Sequence, residues 1–554
     1  MKVLLTTINS KYIHQNLAIR LLYELNKDYK SIHWKEFFSK QDSEEIAQYC
    51  HSFDLVAFSV YIWNITKTIQ IGERIKQLNP KCLILLGGPE VTYEWDYLTD
   101  FHFIDFIITG EGEIPFKSLL RNFPELDHVP SLVWKKNGCV VHNPDSGAFN
   151  LIELENINPY KNEPVEDLIN KICYLESSRG CPCHCSFCLA GLENKLRYLP
   201  QHFIESNLIY LMQNGRIIKF LDRTFNANPD FAISIFSFIL EHYKPGNIFQ
   251  FEIKADVLQP KLIDFIQKKV PAGLFRFEIG IQTLNSRAND AIKRKQNFNN
   301  TKKFIEHVSQ KVELHLDLIV GLPFDYYEDI KFSFEEVFKL FAPELQLGFL
   351  KLLKGTPIRN ESEIHGYYFD QLPPYQIVSS NYLTENEVQR IILVEEALEI
   401  LWNKKKIVLS LKHVAHYYSI FDYLLEIGLF ISQNGKTGLQ NLDNFYELVY
   451  GFSEKKFPED VVLHELIAID YYLHYKIKPK ARFLTVIDKA ERAIISKKFN
   501  LNHNKYRYVI HPLHFHLGTF IDTNQILPAH DLLIARYDGR LKPELVLNQE
   551  RFKL

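Results

Sequence analysis

The sequence predicts an α/β chain with an N-terminal doubly wound, Rossmann-like domain, a partial (β/α)6 TIM-like barrel and a mainly α-helical C-terminal domain. Three observations predict this fold class. Short apolar runs alternate with amphipathic stretches over residues 1 to about 125, and a second alternation of this kind covers about 169 to 357. Beyond about residue 366, apolar residues recur at helical spacing instead. Alternating strands and helices are typical of parallel sheets, whereas a 3.6-residue period is typical of helices.

The bulk properties set limits on the domain organisation and on the partners. A chain of 554 residues is too long for one hydrophobic core, so we predict domains at 1–142, 169–365 and 366–554, with a linker at 143–168. Hydrophobic residues make up 46% and charged residues 24%, and the net charge is −3. No global basic field would therefore attract nucleic acid, and no apolar run reaches membrane-spanning length. The N-terminal residues lack the pattern of a signal peptide.

Residues 1 to about 125 predict a parallel sheet with helices on both faces. The predicted strands are 2–8, 55–61, 83–87 and 103–109, and the predicted helices include 17–25 and 66–78. A β-hairpin is predicted at 131–142, because Asn137-Gly138 is a preferred two-residue turn between strands.

The second alternation predicts six βα units that form an open barrel. The predicted strands are 172–176, 217–221, 249–253, 274–280, 314–320 and 345–350, and helices such as 203–213 and 231–243 separate them. In such barrels the chemistry lies at the carboxyl ends of the strands. Further along, Thr384 to Glu387 forms a capping box that predicts the start of a helix, and 421–430 and 460–476 also predict helices.

The run from Cys181 to Cys188 is the most informative motif. Cys181, Cys185 and Cys188 have the spacing C-x₃-C-x₂-C, directly after the first predicted barrel strand. Three thiolates so close together can hold three irons of a four-iron cluster and leave the fourth iron open for another ligand. Cys183 offers a fourth sulfur, and zinc also binds four thiolates, but no second cysteine pair at zinc-site spacing is present. Eight cysteines, half of them in one octapeptide, suit a reducing cytoplasm better than a disulfide framework.

With the aromatic Phe187 before its last cysteine, this motif resembles the signature of the radical SAM superfamily. The resemblance covers about residues 170–360. It implies a 4Fe-4S cluster held by the three cysteines and S-adenosylmethionine (SAM) bound at the open iron. It also implies reductive cleavage of SAM to a 5′-deoxyadenosyl radical, with electrons from an external donor such as flavodoxin or ferredoxin.

Polar and glycine residues at later strand ends resemble the SAM-binding motifs of this superfamily. By that resemblance Glu252, Glu278 and Gln282 face SAM, Gly321 and Pro323 shape the turn beneath the adenine, and Arg294 reaches the SAM carboxylate. Asp222 contacts either SAM or the substrate. Read without the resemblance, Glu278 is a structural carboxylate paired with an arginine, and Arg294 is a surface charge within Lys293-Arg294-Lys295.

The N-terminal domain carries glycine turns after two of its predicted strands. A Gly87-Gly88-Pro89 turn and a later Gly110-Glu111-Gly112-Glu113 turn, placed before a radical SAM domain, resemble a cobalamin-binding domain. By this resemblance, cobalamin is bound by a set of residues at the strand ends: Ser59, Gly87, Gly88, Pro89, Thr109, Gly110 and Glu111. The D-x-H-x-x-G motif that supplies an axial histidine in some relatives is absent, and His14 lies nearest to its place.

The combined resemblance implies a cobalamin-dependent radical SAM enzyme that methylates an unactivated carbon of a small-molecule substrate. Four alternatives stay open: rearrangement or oxidation without methylation, modification of tRNA, a cobalamin or redox sensor without catalysis, and an empty cobalamin-binding domain. A methylthiotransferase would carry three more clustered cysteines in its first domain. Here that region offers only Cys50, Cys82 and Cys139, which are widely spaced.

Overall fold

The computed structural model describes residues 1–193, 195–434, 441–479, 487–547 and 550–552. Two compact units make up the described chain. The first contains Met1–Tyr326 and Phe349–Thr384, and the second contains Tyr327–Gly348 together with the described part of Glu385–Leu554. The N-terminal domain and most of the barrel therefore share one unit.

The N-terminal sheet has the strand order β2-β1-β3-β4-β5-β6-β7. Its strands are β1 (Val3–Asn9), β2 (Ile32–Phe38), β3 (Leu55–Ser59), β4 (Leu83–Gly87), β5 (Phe106–Ile108), β6 (Leu132–Lys136) and β7 (Cys139–His142). The first five strands pair in parallel, and β6 and β7 add the predicted antiparallel hairpin at one edge. Because the chain order reverses between β1 and β3, the crevice between these two strands is the switch point where doubly wound sheets bind ligands.

Helices cover both faces of this sheet, as a parallel sheet requires. They are α1 (Leu17–Leu25), α2 (Ser43–Cys50), α3 (Ile65–Leu78), α4 (Asp96–Asp100) and α5 (Glu113–Asn122). All seven residues of β1 are buried, because apolar clusters pack against the sheet from both sides. A short helix, α6 (Val165–Asn170), begins inside the stretch 143–168 that the sequence predicts as a linker.

The second alternation forms the predicted barrel strands. They are β8 (Ile172–Leu175), β11 (Ile217–Phe220), β12 (Ile248–Glu252), β13 (Phe275–Gln282), β14 (Glu313–Val320) and β15 (Glu344–Phe349), with the short strands β9 (Ser178–Arg179) and β10 (Arg197–Tyr198) between the first two. Those within the first unit pair in parallel in the order β8-β11-β12-β13-β14. The boundary between the two units falls inside β15.

Helices separate the barrel strands, and two small elements follow them. The helices are α7 (Gln201–Asn214), α8 (Pro229–His242), α9 (Pro260–Lys269), α10 (Ser286–Ala291), α11 (Phe298–Val308), α12 (Tyr327–Phe338) and α13 (Pro357–Asn360). The strands β16 (Tyr368–Phe369) and β17 (Ile377–Ser379) then pair antiparallel.

The second unit is built on helices and ends in an antiparallel sheet. Its helices after α12 are α14 (Glu385–Leu398), α15 (Val408–Tyr417), α16 (Ile420–Asn434), α17 (Leu442–Lys456), α18 (Val461–His474), α19 (Lys489–Lys498) and α20 (Leu517–Thr523). The sheet contains β18 (Arg507–Phe515), β19 (Pro528–Tyr537), β20 (Glu544–Leu547) and β21 (Glu550–Phe552). Helix α12 packs on α16 through Phe334 and Phe421, and Lys331 forms an ion pair with Asp422 at 2.6 Å.

The predicted fold class is confirmed, and the structure adds two features to it. Helix α14 begins directly after Thr384, as the capping box indicates. The edge strand β2 was not predicted, because its residues alternate irregularly between buried and half-exposed positions. The C-terminal sheet was not predicted either, because its apolar runs are short and interrupted by histidine and arginine.

Candidate functional site

The barrel strands have one apolar face and one polar face. In β13 every second side chain is buried, starting from Phe275, whereas Arg276, Glu278, Gly280 and Gln282 on the other face are half-buried. The buried phenylalanines pack against helices: the ring centroids of Phe236 in α8 and Phe275 are 4.7 Å apart. Because alternate residues of a strand point to opposite faces, the polar set lines the inside of the barrel.

Neighbouring strands continue this polar face. In the strand register, Glu278 lies between Glu252 and His315, and Gly280 lies beside Asp317. Lys219 in β11 donates to both carboxylate oxygens of Glu278 at 2.8 Å. The inside of the barrel is therefore a polar surface, which is expensive to bury unless ligands or partners satisfy it.

The cysteine loop (residues 181–188) leaves the barrel directly after β8. The short strands β9 and β10 pair antiparallel and close the base of the loop, and the Cys181 N–H donates to the Glu193 carbonyl at 3.1 Å. Gly180 has φ +87°, and a Cβ there would lie 2.5 Å from the Lys195 carbonyl oxygen. Only glycine fits this entry to the loop, because any side chain would collide with the backbone of the returning strand.

The three predicted iron ligands all lie in this loop. Cys181 and Cys185 each expose 7% of their surface, and Cys188 is half-buried. A hydrogen bond from the neighbouring Cys183 thiol lowers the pKa of Cys181, and burial raises the pKa of Cys188. No group of three or more His, Cys, Asp or Glu side chains among the described residues is arranged to hold a single metal ion.

Arg294 lies against the cysteine loop. Its Nη2 donates to the Gly280 carbonyl at 2.5 Å, and its Nη1 approaches the Cys185 sulfur at 3.8 Å. The surface position that its charged neighbours suggested is therefore wrong. The predicted contact with the SAM carboxylate stays a prediction.

Gln282 has the features of a ligand-binding residue at a strand end. Its φ is +69°, which is uncommon outside glycine, and its buried Oε1 accepts no hydrogen bond. The backbone of Gly280 lies so close to this side chain that a Cβ at position 280 would clash with it. An unsatisfied acceptor at this strand end, on the polar face of the barrel, fits a polar cofactor such as SAM.

The other predicted SAM residues have partners within the protein. Asp222 is buried and accepts hydrogen bonds from the Ser177 N–H at 2.9 Å and from the hydroxyls of Ser177 and Ser178. Burial raises the pKa of Asp222 to about 6. These contacts give Asp222 a supporting place beneath the cysteine loop, and its predicted contact with SAM or substrate stays a prediction.

The remaining predicted SAM-binding residues are Glu252, Phe187 and Gly321. Glu252 forms an ion pair with Arg223 at 3.1 Å, and burial raises its pKa against the charge of that arginine. Phe187 packs against an apolar cluster that includes Ile292 and Leu350. Gly321 has φ +95°, and a Cβ there would lie 2.6 Å from Ile377.

The predicted cobalamin residues lie at the carboxyl edge of the N-terminal sheet. They occupy the ends of β3, β4 and β5: Ser59, Gly87, Gly88, Pro89, Thr109, Gly110 and Glu111. Gly88 has φ +118°, and a Cβ there would lie 2.5 Å from the Val60 carbonyl oxygen. The two backbones can approach this closely only because position 88 is glycine.

Glu111 connects the two domains of the first unit. It accepts hydrogen bonds from Arg197 at 2.6 Å, from Arg179 at 3.0 Å and from the Phe149 N–H at 2.7 Å. Burial alone would raise the pKa of Glu111, but these donors outweigh it and the pKa is lowered. Arg179 also pairs with Glu113 and Glu176. The sequence alone did not reveal this connection.

His14, the nearest counterpart of an axial histidine, lies where the first sheet meets the barrel. Its Nδ1 is 2.7 Å from the Tyr174 hydroxyl, and burial lowers its pKa. The same edge presents residues that sequence reasoning missed, namely Gln15 after β1 and the stacked pair Tyr61 and Trp63 after β3. The aromatic pair directly after a buried strand was the available sequence signal.

Comparisons with known proteins match three parts of the chain. Residues 3–120 match the model of the B12 binding domain, and residues 175–337 match that of the radical SAM superfamily. Residues 363–515 match a family described as a protein of unknown function (DUF4080).

Curated relatives match over shorter stretches. An uncharacterised methyltransferase of Pyrococcus horikoshii is 27% identical over 209 residues, which cover 34% of this chain and 44% of the relative. The cobalamin-dependent radical SAM methyltransferase TokK of Streptomyces tokunonensis is 24% identical and covers 28% of this chain and 27% of its own. The hopanoid C-3 methylase of Methylococcus capsulatus is 29% identical, with 25% and 28% covered. The chain spans less than half the length of these relatives.

Solved structures share the fold. The radical SAM methyltransferase TsrM from Kitasatospora setae, solved with cobalamin and a [4Fe-4S] cluster, has a TM-score of 0.55 at 13% identity and covers 68% of this chain and 78% of its own. The cobalamin-dependent SAM radical enzyme OxsB has a TM-score of 0.55 at 15% identity and covers 90% and 75%. Among the described residues, no helix is both long and apolar enough for a membrane span.

Proposed function

Because this chain carries a B12-binding domain and a radical SAM domain, we propose that it is a cobalamin-dependent radical SAM methyltransferase. It cleaves SAM reductively and transfers a methyl group to an unactivated carbon of a small-molecule substrate. The observation that carries the proposal is the ionic connection between the domains. Arg179, two residues before Cys181, holds Glu111 at the carboxyl edge of the first sheet at 3.0 Å. This ion pair connects the sheet edge that is predicted to bind cobalamin with the loop that is predicted to hold the cluster.

The donor groups on this chain fit the cofactors that its domains imply. Cys181, Cys185 and Cys188 would hold the cluster, and Gln282 offers an unsatisfied oxygen to SAM. The Gly87-Gly88 turn lies at the sheet edge predicted to bind cobalamin. When bound, the cluster supplies the electron that cleaves SAM, and cobalamin carries the methyl group.

The chain's own residues fix polar groups in place before any ligand binds. Lys219 clamps both oxygens of Glu278, and Arg223 pairs with Glu252. Held in these pairs, the carboxylates cannot swing freely, so a ligand inside the barrel meets groups that need no reorganisation. Arg294 likewise fixes the distance between the Gly280 strand end and the Cys185 sulfur.

The proposal includes an electron donor and a compartment. Reductive cleavage needs one electron from outside the chain, and a flavodoxin or ferredoxin is the class of donor that supplies it. We place the protein in the cytoplasm, because none of the eight cysteines forms a disulfide and a reducing compartment preserves thiols and an iron–sulfur cluster. The methyl-transfer outcome draws support from the relatives named as methyltransferases or methylases.

The test is anaerobic reconstitution with iron, sulfide and cobalamin, followed by addition of SAM and a chemical reductant. We expect 5′-deoxyadenosine from the wild type, and transfer of an isotopically labelled methyl group from SAM to bound cobalamin. Replacement of Cys181, Cys185 or Cys188 by alanine should abolish 5′-deoxyadenosine formation and reduce the iron content, because a cluster with two thiolates is lost.

Two further cysteines provide matched controls. Cys139 is exposed on β7, so Cys139→Ala should leave iron content and SAM cleavage unchanged. Cys183→Ala should also retain both, and its inactivity would identify a fourth sulfur ligand instead of an open iron. SAM cleavage without methyl transfer would favour the rearrangement or oxidation alternative. Cofactor binding without any SAM cleavage would favour a sensor.

A further inference from the structure

The loop after β1 contains a buried side-chain amide that has no hydrogen-bond partner. Gln15 exposes only 4% of its surface, and neither its Nε2 nor its Oε1 has a hydrogen-bond partner. A buried primary amide carries two donors and an acceptor, and leaving them unsatisfied is unfavourable. Gln15 therefore marks a place where another polar group completes the structure.

Both neighbours of Gln15 are tied to other parts of the first unit. The Asn16 Nδ2 donates to the Tyr61 hydroxyl in the loop after β3 at 3.1 Å. His14 is hydrogen-bonded to Tyr174 in the first barrel strand. These two contacts fix the loop on both sides of Gln15. The loop follows β1 and is bonded to the loop after β3, and the strand order reverses between these two strands.

An exposed aromatic stack lies on the other side of the same switch point. The rings of Tyr61 and Trp63 are 4.4 Å apart and nearly parallel, at 7°, while Trp63 exposes 58% of its surface. Covering such a ring with a flat ligand would be favourable, because aromatic side chains contribute a large apolar contact area.

The two features match the chemistry of a corrin ring. A corrin is a broad, flat macrocycle whose rim carries primary amide side chains. We propose that Gln15 and the Tyr61–Trp63 stack form the seat for the corrin: the Gln15 amide bonds to a rim amide, and Trp63 packs against the ring. This inference rests on the proposed function for the identity of the ligand. It assigns corrin contacts to the loops after β1 and β3, beyond the glycine turns.

The test compares cobalamin with cobinamide, which has the same corrin and rim amides but lacks the nucleotide tail. Dissociation constants are measured by equilibrium dialysis on the full chain, with the circular dichroism of the bound corrin as a second readout. Gln15→Leu keeps the size and removes the amide, and it should raise the Kd of both ligands about tenfold, the worth of a good hydrogen bond. Trp63→Ala should raise both by at least about tenfold and change the corrin dichroism.

Stability and a distant tryptophan serve as controls. Without ligand, Gln15→Leu should unfold at the same temperature as the wild type or higher, because it removes an unpaired buried amide. Trp134 lies on the hairpin strand β6, so Trp134→Ala should leave both Kd values within about twofold, the scatter expected of a residue outside a binding site.

Three results would overturn the inference. Unchanged Kd values would mean that Gln15 binds only water. An effect on cobalamin alone would mean that the residues contact the nucleotide tail and not the corrin. Weaker binding together with a lower unfolding temperature would mean that both residues are structural. Failure of the proposed function looks different: the wild type would bind both corrins through these residues yet produce no 5′-deoxyadenosine. A wild-type protein that binds neither cobalamin nor cobinamide would contradict both this inference and the proposed function.

Discussion

Arg20 is a fully buried cation that two carboxylates from distant parts of the chain neutralise. Its side chain exposes 1%, its Nε donates to Glu163 at 2.9 Å, and its Nη2 donates to Glu36 at 3.2 Å. The guanidinium also lies over the Trp34 ring, 4.6 Å from the centroid. Because Glu163 precedes the first barrel strand, this single residue fastens the N-terminal domain to the segment that leads into the barrel.

Replacing Arg20 should be among the most damaging changes in this unit. We expect Arg20→Met to lower the free energy of unfolding by about 3–5 kcal/mol, because it leaves two buried carboxylates without a cation. Urea unfolding followed by circular dichroism measures the change. Lys27, which is 62% exposed and paired with Glu24, is the matched control. Lys27→Met should change the free energy by less than about 0.5 kcal/mol, and equal losses from both variants would contradict the argument.

The residues of the site differ in how well sequence could find them. The iron ligands follow from spacing along the chain, which is visible in one dimension. Gln15 gave no signal, since its significance lies in the absence of a partner at a switch point that only the folded strand order creates. The surface position was wrong for a related reason: two flanking lysines suggest a solvated run, but after α10 the Arg294 side chain reaches the Cys185 sulfur of the cysteine loop.

Among the elements, the central strands were predicted best. The strands β8, β11, β12, β13 and β14 match their predicted bounds within two residues, because each is an apolar run between turn signals. Strand β5 of the first sheet is shorter than the predicted 103–109 and begins at Phe106, since the preceding residues form a turn in which the Ile104 N–H donates to the Phe101 carbonyl. Edge strands such as β2 escape prediction because half of their surface faces solvent.

The turns at the carboxyl edge give an element-scale prediction. Gly88 and Gly110 both have positive φ, but a Cβ would collide with the Val60 backbone at Gly88 and meet nothing within 4 Å at Gly110. We expect Gly88→Ala to lower the free energy of unfolding by more than about 3 kcal/mol and to weaken cobalamin binding, because the strand ends must separate. Gly110→Ala should cost about 1 kcal/mol.

Thermal unfolding and equilibrium dialysis with cobalamin measure these two effects. If Gly110→Ala lowers the free energy of unfolding as much as Gly88→Ala does, the positive φ alone accounts for the need for glycine at both positions. The close approach of the two strand ends would then have no effect.

At the scale of the whole chain, the first unit holds its two domains together with charges on both sides of the sheet edge. One group is the Arg179 network. The other joins the loop after β4 to the end of the barrel: Arg359 donates to Glu94 at 2.9 Å and Lys354 to Asp96 at 3.0 Å. Beside them, Tyr97 donates to the buried carboxylate of Glu90 at 3.0 Å, and Tyr375 donates to it at 2.5 Å. Both glycine turns are therefore anchored to the barrel.

Removing the Arg179 side chain should loosen both domains at once. In Arg179→Met, hydrogen exchange at residues 110–116 and 176–182 should become at least about tenfold faster, because Glu113 and Glu176 lose their shared cation. Hydrogen–deuterium exchange mass spectrometry resolves both segments. Arg74→Met, which breaks an exposed ion pair with Glu44, should leave both unchanged. Acceleration of only one segment would mean that the domains are not coupled through Arg179.

The position of α12 bears on how this protein is made. Its chain position is between two barrel strands, yet the buried Phe334 and the ion-paired Lys331 find their partners on α16, more than 80 residues later. During synthesis, Phe334 and Lys331 leave the ribosome before α16 and stay without their partners Phe421 and Asp422 until that helix emerges. A truncated chain that stops before α16 would therefore carry a helix whose apolar Phe334 lacks its partner. Such fragments should bind chaperones or aggregate.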